Sequence, residues 1–101
     1  MTNEKKKIVE LKEGENAIIE GNVLEVFEVK QIVKKNGDRI TLQEVLIDDK
    51  SAGITLKLWG KQVNTLKEND KVRVEGYVSS FRDTFGISTG KFGKIEVLQW
   101  L

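Results

Sequence analysis

A chain of 101 residues with no Cys and no His has the length of one domain that buries its own core. It lacks the side chains from which thiolate nucleophiles, imidazole bases and most zinc or iron–sulfur sites are built. Its 17 basic and 16 acidic residues leave a net charge of +1, so bulk charge by itself argues for no polyanionic partner. Without Cys, without an apolar signal region after Met1 and without an apolar run long enough to span a bilayer, the chain is expected to be soluble and intracellular.

Residues 1–7 read as a flexible basic tail and residues 8–101 as a single domain. Ile8, Val9 and Leu11 form a lead-in beneath the first strand, followed by Glu13-Gly14-Glu15-Asn16. Pro is absent, so turns fall to Gly, Asn and Asp. A long β pattern runs from Ala17 to Val33, and its alternation slips at Val23-Leu24, just after Gly21. That slip predicts a bulge or sharp bend where one strand serves two parts of a barrel. Phe27 follows the slip, so its face is open, with a rim or core position expected.

Lys34-Lys35-Asn36-Gly37-Asp38 is a hairpin signal that also sets lysines at a loop tip. The second strand covers Arg39 to Asp49, and its change of phase near Gln43-Glu44 predicts another bulge. After the turn at Asp48-Asp49-Lys50-Ser51-Ala52, the third strand is Gly53-Ile54-Thr55-Leu56-Lys57-Leu58-Trp59-Gly60. There Ile54, Leu56 and Leu58 share one face while Thr55, Lys57 and Trp59 share the other. Val63 and Leu66 lie three apart before Asn69-Asp70, which predicts a short helical plug over Lys61 to Lys67. The fourth strand, Lys71 to Phe81, turns Val72, Val74, Gly76 and Val78 inward and Lys71, Arg73, Glu75, Tyr77, Ser79 and Phe81 outward. A hairpin loop over 81–86 leads to a last, Gly-interrupted strand from Ile87 to Leu98; Phe85 shares the parity of Ile87 and is expected in the core. Trp100 packs on the barrel or begins a linker. Five strands, a bent first strand and a short helix between strands 3 and 4 make an all-β, five-stranded Greek-key barrel of the OB type.

Chemistry-bearing motifs are few. Gly86-Ile87-Ser88-Thr89-Gly90-Lys91 fails as a phosphate loop, because three residues separate its glycines and Phe92 stands where a magnesium-binding hydroxyl belongs. Asp48-Asp49 reads as a pair of solvated turn acids. No enzyme, no cofactor and no small-molecule substrate is expected. What stands out is the outer face. Trp59, Tyr77 and Phe81 emerge among charges on strands three and four, with Lys57 sharing the parity of Trp59 and Arg73 that of Tyr77. Rings flanked by cations on one sheet face are a stacking platform with phosphate-binding flanks.

The runs Lys35-Asn36-Gly37, Glu44-Val45-Leu46-Ile47-Asp48, Ile54-Thr55-Leu56-Lys57-Leu58-Trp59-Gly60-Lys61, Leu66-Lys67-Glu68-Asn69-Asp70-Lys71-Val72 and Gly76-Tyr77-Val78-Ser79-Ser80-Phe81-Arg82, with Gly90 and Lys94-Ile95, resemble the OB domain of archaeal single-stranded DNA-binding proteins, relatives of replication protein A. The resemblance covers nearly all of the chain from about Gly14. It implies base stacking on Trp59, Tyr77 and Phe81, and it adds Lys30 as a phosphate contact. The turn Lys50-Ser51-Ala52-Gly53 departs from the family by carrying its Gly one place later. The family's single-domain members carry a Gly-rich charged tail, whereas this sequence ends Leu98-Gln99-Trp100-Leu101, so recruitment through such a tail is not carried over. The expectation is a non-enzymatic domain that binds single-stranded DNA with little sequence preference, covering about 4 or 5 nucleotides, in replication, repair or recombination. Lys30, Lys57, Arg73 and Lys94 are expected at phosphates, and Lys34, Lys35 and Arg82 as looser attraction at the loops. Other replication or repair proteins are further partners. The alternatives are a peptide held in the same groove within a multi-domain replication protein, or single-stranded RNA.

Overall fold

The inward rows that alternation sets apart fill the centre of the molecule. In the computed structural model, which describes residues 5–81, 84–89 and 93–98, Ile54, Leu56 and Leu58 are no more than 2% exposed and Val72, Val74 and Val78 are fully buried. The strands are β1 (Asn16–Val26), β2 (Lys30–Val33), β3 (Arg39–Asp48), β4 (Gly53–Trp59), β5 (Lys71–Phe81), β6 (Thr84–Ser88) and β7 (Lys94–Leu98). In space they run β1-β3-β4-β6-β5-β7, and β1 pairs again with β5. That second pairing closes the barrel and removes the open edges a flat sheet would leave. Among the described strands only β4 and β6 pair in parallel, from Thr55↔Gly86 to Lys57↔Ser88. The expected first strand is β1 with β2 and the expected last strand is β6 with β7, so this is the five-stranded OB barrel with two of its strands interrupted.

The bend in the first strand is where the slip in alternation places it. The β1–β3 register shifts between Val23 and Glu25, which leaves Leu24 as the extra residue. Gly21 precedes it because a Cβ there would lie 2.7 Å from Ile47 Cγ2 and 2.8 Å from the Asp48 carbonyl. β2 then pairs only with β3, and their hairpin turns on Gly37 at φ +88.

The bulge expected in β3 is absent. Its register with β4 runs unbroken from Leu42↔Trp59 to Asp48↔Gly53. The apparent phase change has a different cause: the inward position before Val45 and Ile47 holds Gln43, only 3% exposed. Gln43 Nε2 donates to the Phe27 carbonyl at 2.9 Å, and its Oε1 accepts the Asn64 N–H at 2.8 Å. A polar side chain thus continues the core row and ties the β1–β2 bend to the loop after β4.

The plug after β4 is shorter than the spacing predicts. A single 3-10 turn spans Gly60–Gln62, and Asn64 at φ 61 ends any helical path. Leu66 nevertheless buries its side chain and Val63 packs against the core, so two side chains cap the barrel without a helix. At the other end, Ile8 and Leu11 are buried. Ile8 N–H donates to Asp49 Oδ2 at 2.8 Å, and Lys6 N–H to the Ile18 carbonyl at 2.8 Å, which lays the N-terminal segment against β1 and the β3–β4 turn.

Candidate nucleic-acid interface

Cross-strand register fixes which outward side chains share a row. One row runs Lys30, Leu42, Trp59 across β2, β3 and β4. The next runs Glu44, Lys57, Ser88, Tyr77 across β3, β4, β6 and β5. Strands lie about 4.8 Å apart, so Lys30 backs Trp59 at about 10 Å, Lys57 and Tyr77 are separated by about the same distance, and Trp59 follows Lys57 by about 7 Å along its strand. Trp59 is half-buried and Tyr77 is 50% exposed. The turn of Gly60–Gln62 steadies Trp59, whose N–H donates to Gln62 Oε1 at 3.1 Å. Lys30, Lys57, Trp59 and Tyr77 therefore lie on one continuous face, with the exposed Lys34 and Lys35 at the adjoining hairpin.

Arg73 stands elsewhere, and Lys94 lies at the margin of this face. Arg73 is outward on β5 as parity requires, but it lies four residues before Tyr77, about 13 Å along the strand, where β5 is flanked by β1 and β7. Its register partners there are Glu20 and Glu96. Its Nε and Nη2 sit 2.7 and 2.6 Å from Glu20 Oε2, and Lys5 Nζ approaches the same carboxylate at 3.3 Å. The hydrogen bond from Arg73, with help from Lys5, holds the Glu20 carboxyl below its ordinary value, and Glu20 in turn raises Arg73. This guanidinium is already engaged. Lys94 faces Glu75, one row from Tyr77, and is exposed. Phe81 ends β5, its side chain outside the described residues; Arg82 lies outside them altogether, as does Trp100.

Two further rings are exposed, Phe27, whose face the sequence left open, and Phe85, and the first of them belongs to this face. Phe27 is 44% exposed. Its N–H donates to the Glu44 carbonyl at 3.0 Å, extending the β1–β3 register by one step past Val26↔Val45, which by the pleat sets the ring on the outer side beside Glu44. Phe85, expected in the core, is 41% exposed. The row Ser80↔Phe85 lies two steps past Val78↔Ile87, beyond the residues that β4 pairs with β6, so no described strand stands behind it. On the outer side of the same hairpin, a cleft of about 230 Å³ is bordered by Glu44, Thr55, Lys57, Ser79, Thr84 and Gly86. The surplus of exposed large apolar side chains beside β2 was the available signal for Phe27; parity at a hairpin end carries none for Phe85.

Asp48 and Asp49 are turn acids. Asp49 accepts N–H groups from Ile8, Ser51 and Ala52. Burial pushes its carboxyl up, but these bonds and the Ser51 hydroxyl outweigh it and the net shift is downward.

A closed five-strand barrel with rings and lysines gathered on one sheet face defines an OB domain with a nucleic-acid-type surface. The chain belongs to the family described as single-stranded DNA binding protein Ssb-like, OB fold, whose model matches residues 11–97. It is 35% identical over 74 residues to the single-stranded DNA binding protein Ssb of Saccharolobus solfataricus, covering 72% of this chain and 49% of that protein. The chain thus spans about half the length of that relative. Its fold is similar to the second OB-fold domain of replication protein A from Methanococcus maripaludis (TM-score 0.82, 23% identity, 97% of this chain and 98% of that one). It is similar also to a replication factor A related protein from Methanobacterium thermoautotrophicum (TM-score 0.78, 19% identity, 94% and 91%). A replication protein A heterotrimer bound to single-stranded DNA superposes at TM-score 0.84 and 17% identity, over 100% of this chain and 26% of that chain.

Proposed function

We propose that this chain binds single-stranded DNA with little sequence preference, without catalysis, in replication, repair or recombination. The observation that carries the reading is the shared face. Trp59 and Tyr77 stand on adjacent rows with Lys57 between them and Lys30 behind Trp59. A strand laid across β4, β6 and β5 stacks bases on the rings while its phosphates meet the lysines, and such stacking serves any base because each has a π-face. Family membership and the relative named for single-stranded DNA binding support the same reading. Phe81 is a third stacking ring at the end of β5. Lys34, Lys35 and Arg82 attract at the loops, and Lys94 meets a phosphate next to Tyr77. Arg73 reaches a phosphate only by exchanging Glu20 for it, so its role is secondary. Other replication or repair proteins are the further partners in this reading.

Backbone amide shifts on titration with a short oligothymidine test the placement. Perturbations should concentrate on 30, 42–44, 57–59, 77–79 and 86–88. Shifts confined to the β1–β5–β7 side around Arg73 would move the site off this face and overturn the reading.

A further inference from the structure

The row that carries Tyr77 does not end at β3. It continues from Glu44 to Phe27, whose N–H donates to the Glu44 carbonyl at 3.0 Å. The outer face thus reads Phe27, Glu44, Lys57, Ser88, Tyr77 from the end of β1 across β3, β4 and β6 to β5. Along that row Phe27 stands about 10 Å from Lys57 and about 19 Å from Tyr77, and it lies about 12 Å from Trp59 in the next row. On β3 between Phe27 and Trp59, Leu42 points outward and is only 8% exposed, so an apolar surface joins the two rings. Phe27 itself is 44% exposed. Its backbone is held on both sides, because its carbonyl also accepts from Gln43 Nε2 at 2.9 Å, and Gln43 is only 3% exposed. A buried amide spent on the bend after β1 fixes where this ring leaves the backbone, which lowers the ordering cost when a base covers it.

We infer that Phe27 is a further base-stacking ring, which carries the bound strand past Trp59 and across β3 to the bend between β1 and β2. The inference rests on the proposed single-strand function and deepens it. Every nucleobase has a π-face, so an exposed ring at the end of a row of aromatics and cations lengthens the site without adding sequence preference. The site then spans about 6 nucleotides, where Trp59, Tyr77 and Phe81 alone span about 4 or 5.

The test is the affinity of labelled oligothymidines from about 4 to about 8 nucleotides long, read by fluorescence anisotropy. Affinity should climb by about fivefold or more at the length that reaches Phe27 and level off beyond it. Phe27→Ala should flatten that step. Phe27→Leu, which keeps apolar bulk and removes the π-face, should flatten it too, and Phe27→Tyr should retain it. Direct contact has its own readout. The chain has 2 Trp residues, so Phe27→Trp combined with Trp59→Phe and Trp100→Phe makes position 27 the only indole. Its emission should quench saturably with the longer oligonucleotides. If the unaltered protein shows no step, if the step survives Phe27→Ala or Phe27→Leu, or if the indole at position 27 stays flat while the complex forms, this ring is removed from the site and general binding stands. If oligothymidine binds at no length, the parent reading fails with it.

Discussion

Lys57→Ala should flatten the salt dependence of single-strand binding, and Arg73→Ala should not. Counterion release makes log K fall with log salt by about 0.7 for each phosphate neutralised on a single strand. If Lys30, Lys57 and Lys94 each neutralise a phosphate, the slope is about −2.1, and affinity drops about 20-fold between 50 and 200 mM salt. Losing Lys57 brings the slope to about −1.4 and the drop to about 7-fold. Arg73 is different because its charge is already compensated by Glu20 at 2.6 Å. Its removal leaves Glu20 with Lys5 at 3.3 Å and changes the count of released ions little. Anisotropy of a labelled oligothymidine over a potassium chloride series reads both slopes. An Arg73→Ala slope flattened as far as that of Lys57→Ala would refute this division of the surface, and with it the ranking of the two cations.

Gln43→Ala should cost about 1–3 kcal/mol of stability, from losing two short hydrogen bonds and part of a filled core; urea unfolding measures it, and a loss below about 0.5 kcal/mol contradicts the tethering role. Acid stability follows from carboxyls whose folded values lie below their ordinary ones, 4.5 for Glu20 and 3.8 for Asp49. A depressed carboxyl stabilises the fold fully above its unfolded value and loses that contribution as pH falls through its folded value. Thermal melts should therefore hold steady from pH 7 to about 5 and decline below about 4.5. Asp49→Asn should start lower at neutral pH and decline less steeply, whereas an unchanged acid slope would remove Asp49 from the account.

The faces of β4 and β5 were legible because their inward rows are apolar without interruption, Ile54-Leu56-Leu58 on one and Val72-Val74-Gly76-Val78 on the other. Period-2 alternation then leaves only one orientation for Trp59, Lys57 and Tyr77. The bend in β1 was legible for the same reason, as a break in an otherwise regular pattern. Alternation misleads where a polar side chain occupies the core row, so Gln43 mimicked a bulge by satisfying its amide inside the barrel. It is silent where a strand continues past its neighbours, and Phe85 shows its ring to solvent at a parity that is buried two residues later at Ile87. Long-range pairing is silent too. Nothing near Arg73 in the sequence reveals Glu20, 53 residues away, and only the β1–β5 register brings them together. The sequence pattern thus placed Trp59, Lys57 and Tyr77 on one outer face, while the electrostatic partners and the cleft beside it required the closed barrel.

Trp59 itself reports most directly on the central claim. The chain has 2 Trp residues, so a Trp100→Phe variant leaves the emission of Trp59 alone to be followed during titration with a short oligothymidine. Base stacking on the ring predicts saturable quenching whose midpoint moves to higher oligonucleotide concentration as salt is raised. Emission that stays flat, with no complex by anisotropy at micromolar protein, would contradict the assignment of this face to single-stranded DNA.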